Sequence, residues 1–562
     1  MDELGKREKR LTNETKEVNM SSGDEKPIRV SRREFVKGAA VGAGALAGTS
    51  VLASCAPAAA PAAGGAAELP ATWDKEVDVV VVGGGGAGCN AAMSAAEAGA
   101  SVVLLEVAPA LGGESSLCVG SVSLPLSSLQ KEQGISDTVE AYVEDVIKAA
   151  GSGGARSDLN LVQWLGENAG PAIDWMIGLG VDFRGPFEYP NHRVNRMHML
   201  YPDSKAWPSV LRSAMEAKGV EILLQTKGVE LYATCDNRAA GVKAVDQVSQ
   251  ETINIKAKRG VVLAAGDLAG SEQFRLRFTS PEEAAVPAEH VYNDGSGLLM
   301  GMAMGADLTR LDSYGGPGVR STAPGPSVSV TGKQAWMPYG MMDAGAILVN
   351  KAGARFVNEK DSGSTLSTTT MEQPDQRCFM VYDDVVAQIF NEWPMVVSSH
   401  PGIGDVSGLG GWGTVDDFIS RNGIKTGDTI EALAGEMGID PAGLKDAIEK
   451  WNGYAEEGED PDFKRPTFGN EEAGTVGAGI KVAPFYCHGP IRPTITLADC
   501  SLAVNTNLQV LDPYGEPIPG LYAGGNMGHG MMIAGGHGTH MAWCFTSGHH
   551  AGMNVAAEEP WE

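Results

Sequence analysis

The sequence has no C-x-x-C pair and no C-x-x-C-H, and its eight cysteines (55, 89, 118, 235, 378, 487, 500 and 544) lie far apart. This excludes a haem attachment site and an iron–sulfur cluster of the usual spacing; scattered thiols fit free cysteines at buried apolar positions. No H-E-x-x-H or comparable spacing occurs, so no metal site is expected. Positive charge is scarce: 43 Lys and Arg face 70 Asp and Glu, a net charge of −27. That balance argues against nucleic acid and against adhesion to anionic lipid. It suits plain solubility, with a basic electron-transfer partner as the alternative. A long apolar run is missing as well, because the uncharged stretch 38–54 is mostly Gly and Ala and too short and weakly apolar for an ordinary membrane-spanning helix.

What is present begins at Asp78–Gly88, DVVVVGGGGAG. Val79–Val82 read as a buried parallel strand, and Gly83, Gly85 and Gly88 fall on the G-x-G-x-x-G spacing. Such glycines allow a tight turn, close backbone approach to a pyrophosphate and close packing of helix on strand. Asn90–Ala98 is Ala-rich and helical, and the next apolar run closes on Glu106, where a carboxylate meets a ribose hydroxyl. An acid there favours an unphosphorylated ribose, hence FAD or NAD. Leu111–Gly120, LGGESSLCVG, supplies a second glycine-rich, hydroxyl-bearing turn. Segments 220–227 and 241–245 read as short strands of an antiparallel insertion. GVVLAAG at Gly260–Gly266 and GLYAGGN at Gly520–Asn526 read as further glycine-ended strands. Three such strands dispersed over most of the chain fit a nucleotide domain interrupted by an insertion, whereas NAD dehydrogenases keep this machinery contiguous.

Ser31–Lys37, SRREFVK, reads as a twin-arginine export signal, a route that carries folded, cofactor-loaded proteins. Leu52–Cys55 resembles a lipoprotein cleavage box that would lipidate Cys55; simple cleavage after an alanine is the alternative. Residues 56–67 read as a flexible Ala/Pro tether. The expected place is the cell envelope, on the outer face of the cytoplasmic membrane.

The first glycine motif, the LGGESS turn, VVLAAG, NDGSG at Asn293–Gly297, ILVNKAGARFVNE at Ile347–Glu359, YAGGN and GGHGT together resemble the FAD-dependent fumarate reductase and 3-ketosteroid dehydrogenase superfamily. The resemblance implies an α/β fold, a Rossmann-like FAD-binding domain interrupted by an α+β capping domain. It places a signal at 1–55, a linker at 56–73, FAD-domain segments at 74–322 and 497–562, and the cap at 323–496. Non-covalent FAD is the implied cofactor. Its expected contacts are Gly83, Gly85, Gly86, Ala87, Gly88 and Glu106 in the first motif, Gly112, Gly113, Ser115 and Ser116 in the second turn, then Val229, Ala265, Gly266 and Asp294. Gly525, Asn526, Thr539, His540 and Met541 complete the set near the C-terminus. The implied chemistry is hydride transfer between flavin N5 and a carbon of an activated C=C or CH–CH bond.

Departures from the family pattern narrow the substrate. Fumarate reductases keep an acidic arginine shortly after RFVNE, but Lys360, Asp361, Ser362 and Gly363 follow Glu359 here. TLADCS stands where their His-Thr-Met-Gly-Gly element is expected, and the C-terminal arginine is replaced within GGHGTH. Planar bidentate carboxylate recognition needs Arg, which counts against a small dicarboxylate. MMIAGGHGT resembles the ketosteroid dehydrogenase turn, whose backbone N–H groups polarise a carbonyl around His537, although Ile533 replaces the expected tyrosine. Tyr339, in KQAWMPYGMM, is the leading proton donor, with a structural tyrosine as the alternative. Arg492, in GPIRPTIT, would bind one carboxylate, relay a proton or serve a structural ion pair. His192–His198, HRVNRMH, is a further polar group weighed for the substrate cavity, and His549 and His550 read as surface or structural. The expectation is a reductase of an α,β-unsaturated carbonyl or carboxylate on an aromatic or polycyclic skeleton. Its electrons would come from an external cytochrome or quinol-linked donor in anaerobic respiration. The alternatives are a ketosteroid-type dehydrogenase and a flavin-carrying electron-transfer lipoprotein without substrate chemistry.

Overall fold

Four consecutive valines cannot alternate between a wet and a dry face, and Val79–Val82 are all at most 4% exposed. The computed structural model describes residues 65–562 except 119, 151–156, 189–191, 289, 311–313, 316–317, 322–334, 337–338, 362, 393–414, 416–423, 472–473, 496 and 530–537. The valines end strand β1 (Lys75–Val82), which turns into helix α1 (Gly86–Glu97) and returns as β2 (Val102–Leu105), parallel to β1. Helix α2 (Leu159–Gly178) follows, then the short strand β3 (Glu221–Leu223), parallel to β2. Strands β4 (Thr226–Ala233) and β5 (Ala239–Asp246) form an antiparallel ribbon. Strand β6 (Thr252–Leu263) pairs antiparallel with β5 and parallel with β1.

The segment 220–227 is therefore not one strand of an antiparallel insertion. It breaks at Leu224–Gln225, with Gln225 at φ +51°. The piece before the break joins the parallel sheet, and the piece after it starts the ribbon. These eight residues hold one strand and the start of a second because each borrows its partner from elsewhere in the chain.

After helix α3 (Ser296–Ala303) the chain builds a second, six-stranded sheet. Its strands are β7 (Gly318–Ser321), β8 (Ala335–Trp336), β9 (Ile347–Val349), β10 (Cys378–Tyr382), β11 (Ile424–Gly427) and β12 (Phe485–Thr494), in the order β8-β7-β12-β10-β9, with β11 also on β12. Strand β7 precedes residue 323, where the cap was expected to start. Leu366 of helix α4 (Gly363–Met371) packs with Leu348, Cys378, Met380 and Ile491 in one core cluster. Leu444 and Trp451 of helix α5 (Pro441–Glu457) pack with Val349, Phe379, Val381 and Cys487 in another. Beneath α5 lies a buried ion network: Glu359 accepts from Arg355 at 2.8 and 3.0 Å and from Arg465 at 3.1 Å, while Asp460 accepts from Arg355 at 3.0 Å.

The chain then returns to the first sheet. Strand β13 (Gln509–Leu511) pairs antiparallel with β14 (Pro517–Ala523), and β14 lies parallel to β6, giving the order β13-β14-β6-β1-β2-β3. Helix α6 (Thr539–Ala556) closes the layer against α1 at very short range: a Cβ on Gly548 would lie 2.1 Å from the Ala87 carbonyl oxygen. The architecture is the expected Rossmann-like α/β domain with an α+β insertion. The described cysteines divide: Cys89, Cys378, Cys487, Cys500 and Cys544 are buried, Cys118 is half-buried, and Cys235, expected to be buried, is exposed in a loop after β4.

Candidate functional site

A cleft lies at the carboxyl ends of β1, β2 and β6, where open parallel sheets bind nucleotides. Its first wall is the turn from β1 into α1, through Gly83, Gly85, Gly86 and Ala87. A Cβ on Gly88 would lie 1.8 Å from the Gly83 carbonyl oxygen, so only glycine lets the helix start this close to the strand end. No side chain caps α1 at Gly85, which leaves its first-turn N–H groups and the positive end of the helix dipole for a pyrophosphate. Glu106 lines the cleft with its carboxylate already oriented: Oε2 accepts from the Gly84 N–H at 2.6 Å and Oε1 from the Ala108 N–H at 2.7 Å. Burial raises its pKa despite these bonds. The remaining lone pairs suit a ribose diol. Gly113 and Ser115 form the facing wall, with the Ser115 hydroxyl accepting from the Gly86 N–H at 3.3 Å. Ala265, Gly266, Gly525 and Asn526 supply the rest of the expected lining.

Other expected residues stand behind or beside the cleft. Gly112 donates its N–H to Gly84 O at 2.9 Å, tying the two glycine turns together. The Ser116 hydroxyl turns back to Gly113 O at 2.9 Å. Val229 follows the lining residue Gly228 in β4, and Asp294 pairs at 2.5 Å with Lys227, which does line the cleft. Thr539, His540 and Met541 form the first turn of α6, whose Cys544 reaches the lining. Burial pushes the His540 pKa down, with Asp499 opposing.

Sequence reasoning missed Glu114, Lys227, His290, Tyr292 and Asn293, all of which line the cleft. Asn293 joins two walls: its Nδ2 donates to Glu114 at 2.9 Å, and its Oδ1 meets His290 Nδ1 at 3.0 Å. The NDGSG motif carried the signal, but only Asp294 was drawn from it.

Behind this wall Asp267 is fully buried and accepts from the Ala269 N–H at 2.7 Å, the Ala498 N–H at 3.1 Å and Asn526 Nδ2 at 3.2 Å. Burial outweighs these bonds and pushes its pKa up to about 6. Between about pH 4 and 6 the folded chain then holds a proton that the unfolded chain has released, so this group's contribution to stability falls as pH rises through that window. In urea unfolding of the apoprotein, the wild type is expected to lose stability relative to Asp267→Asn between pH 4 and 7. A pH-independent difference would refute the assignment.

Of the expected catalytic residues, Arg492 lies half-buried in β12. Tyr339 begins a helix over Tyr339–Ala344, its side chain outside the described structure, and His537 lies outside the described residues. HRVNRMH is not part of the described lining. Arg196 is buried in ion pairs of 2.6 Å with Asp137 and Asp145, and His198 bonds Ser127 at 2.8 Å and Arg196 O at 2.9 Å. That group fastens the helices before α2. His549 is likewise structural, bonded to Ser94 at 2.7 Å and packed at a tilt against Trp175.

A family model described as FAD binding domain matches residues 78–539. The chain is 32% identical to the urocanate reductase of Eggerthella lenta over 499 residues, 87% of this chain and 76% of that protein. It is 27% identical to the digoxin reductase of Eggerthella lenta, covering 95% of this chain and 98% of that one. A solved flavocytochrome c3 fumarate reductase in its open conformation superposes with a TM-score of 0.73 at 26% identity, over 86% of this chain and 79% of that chain. Its cleft and its relatives agree: the chain belongs to the FAD binding domain family and is a FAD-dependent oxidoreductase acting on CH–CH or C=C bonds.

Proposed function

We propose that the protein is an exported terminal reductase that saturates an α,β-unsaturated carbonyl or carboxylate on an aromatic or polycyclic skeleton. The observation that carries this reading is the engagement of Glu359. In the RFVNE segment that precedes the acidic arginine of fumarate reductases, this glutamate is fully committed to Arg355 and Arg465. Lys360, Asp361, Ser362 and Gly363 follow it, with no arginine among them. The small-dicarboxylate chemistry therefore lacks its acid, while relatives named for urocanate and digoxin support a larger unsaturated substrate. FAD held in this cleft and reduced by the external donor would supply a hydride from N5 for the β-carbon. The chain's own part is to hold FAD in the glycine turns around Gly83 and Gly113, to polarise the substrate carbonyl with backbone donors near His537, and to deliver a proton from Tyr339. With no haem or iron–sulfur motif in the chain, electrons arrive from a separate cytochrome or quinol-linked donor. The twin-arginine segment and Cys55 place the protein, lipid-anchored, on the outer face of the membrane.

The test is anaerobic. The flavin is reduced with a viologen dye and its reoxidation followed with fumarate, urocanate, cinnamates, flavonoids and 3-keto-4-ene steroids. Rapid reoxidation by an aromatic or polycyclic enone or enoate, with fumarate inert, is the expected result. Reoxidation by fumarate alone would overturn the reading.

A further inference from the structure

The six-stranded sheet carries a row of positive charge in a chain whose net charge is −27. The register of β7 on β12 sets Arg320 opposite Arg492. On the other side of β12, Cys378 pairs with Ile491, so Arg377, one residue earlier, stands opposite Arg492. Strands β7 and β12 and the residue that leads into β10 thus place arginine at one level, although like charges directly opposite one another destabilise a sheet. Arg377 and Arg492 are both half-buried. Burial, and after it the neighbouring Arg377, lowers the pKa of the Arg492 guanidinium. The Nε of Arg377 is buried and has no hydrogen-bond partner among the described residues. The nearby carboxylate, Asp375, is shared with Lys351 at 3.1 Å, so three cations face one anion.

We propose that Arg377 and Arg492 form an anion site that takes a planar carboxylate. Guanidinium forks on adjacent strands, about 4.8 Å apart, match the two oxygens of such a group, and its charge would relieve the repulsion that the bare row suffers. Beyond the end of β12 the chain runs on behind the cleft wall: the Ile495 N–H donates to Pro287 O at 2.9 Å, and the Ala498 N–H to Asp267 at 3.1 Å. The carboxylate therefore belongs either to an unsaturated acid held at the flavin or to a separate small acid. The site itself stands without turnover, independently of the function proposed above.

The test titrates the FAD-loaded, oxidised full chain by calorimetry with benzoate and with neutral benzamide at fixed ionic strength. Benzoate is expected to bind and benzamide not, with benzoate affinity falling about tenfold in Arg377→Gln and in Arg492→Gln. Each variant should melt at or above the wild-type temperature, because a like charge has been removed; a purely structural pair would lower it. Absence of benzoate binding by the wild type, or equal affinity in all three proteins, overturns the proposal. The flavin absorption spectrum separates the two sources. A shift on benzoate binding marks the site of a substrate's carboxylate beside the flavin, and binding without a shift marks a separate acid.

Discussion

With valine in place of Gly548, the protein is expected to emerge from purification without FAD and to melt well below the wild type. A Cβ at this position would lie 2.1 Å from the Ala87 carbonyl oxygen and 2.7 Å from the Ala87 Cα, both backbone atoms of α1. No rotamer relieves such a contact, so the two helices must separate. Overpacking of this kind costs about 1–3 kcal/mol, and more where backbone is struck. The displaced segment is the first turn of α1, which forms one wall of the cleft, so cofactor and stability should fall together. Gly453→Ala is the control, since a Cβ there meets nothing within 4 Å and a helix interior gains up to about 1 kcal/mol from the change. The ratio of flavin to protein absorbance and a thermal melt read both variants. A Gly548→Val protein with full flavin and an unchanged melting temperature would refute the packing argument.

The second large effect is expected from Glu359→Gln. Glu359 is 2% exposed; it also accepts the Leu348 N–H at 3.1 Å, which ties β9 to the network. Removing its charge leaves Arg355, with Asp460 as its remaining carboxylate, and Arg465, which loses its carboxylate partner, both buried over Trp451. Breaking one side of a buried ion pair costs about 3–5 kcal/mol. Urea unfolding should therefore show a loss of that order. Because the network lies in the second sheet's layer, FAD content should survive better than in Gly548→Val. A loss below about 1 kcal/mol would show that water reaches the network.

These two sites show what the sequence could and could not disclose. The Gly83–Gly88 turn was legible because its requirements are local: a strand, three glycines and an acid at fixed spacing, each needed by backbone geometry. The role of Glu359 was not. Its motif was visible, but Asp460 and Arg465 are about 100 residues away, and nothing in RFVNE says that its acid is spent on structure. The same reason explains the far wall of the cleft. Asn293 acts there through Glu114, a partner 179 positions away in sequence, and His290 through Asn293. The break within 220–227 failed for a related cause: periodicity reports apolar faces, and pairing partners come from the whole fold. Cys235 shows the limit of composition, since a thiol in a loop has no pattern that marks it as exposed.

The order of the first sheet bears on how the protein is made. Neighbours β1, β6 and β14 come from three stretches of chain separated by more than 170 and more than 250 positions, so its central pairings are among the least local a domain can have. Such topologies fold slowly and expose unpaired strand edges meanwhile. The Gly525 wall and α6 leave the ribosome after the other walls of the cleft. The cofactor cleft therefore cannot close until they have been made, and FAD must be captured after that point. Until then β6 offers an open, strongly apolar edge, which makes flavin supply a determinant of how much protein escapes aggregation.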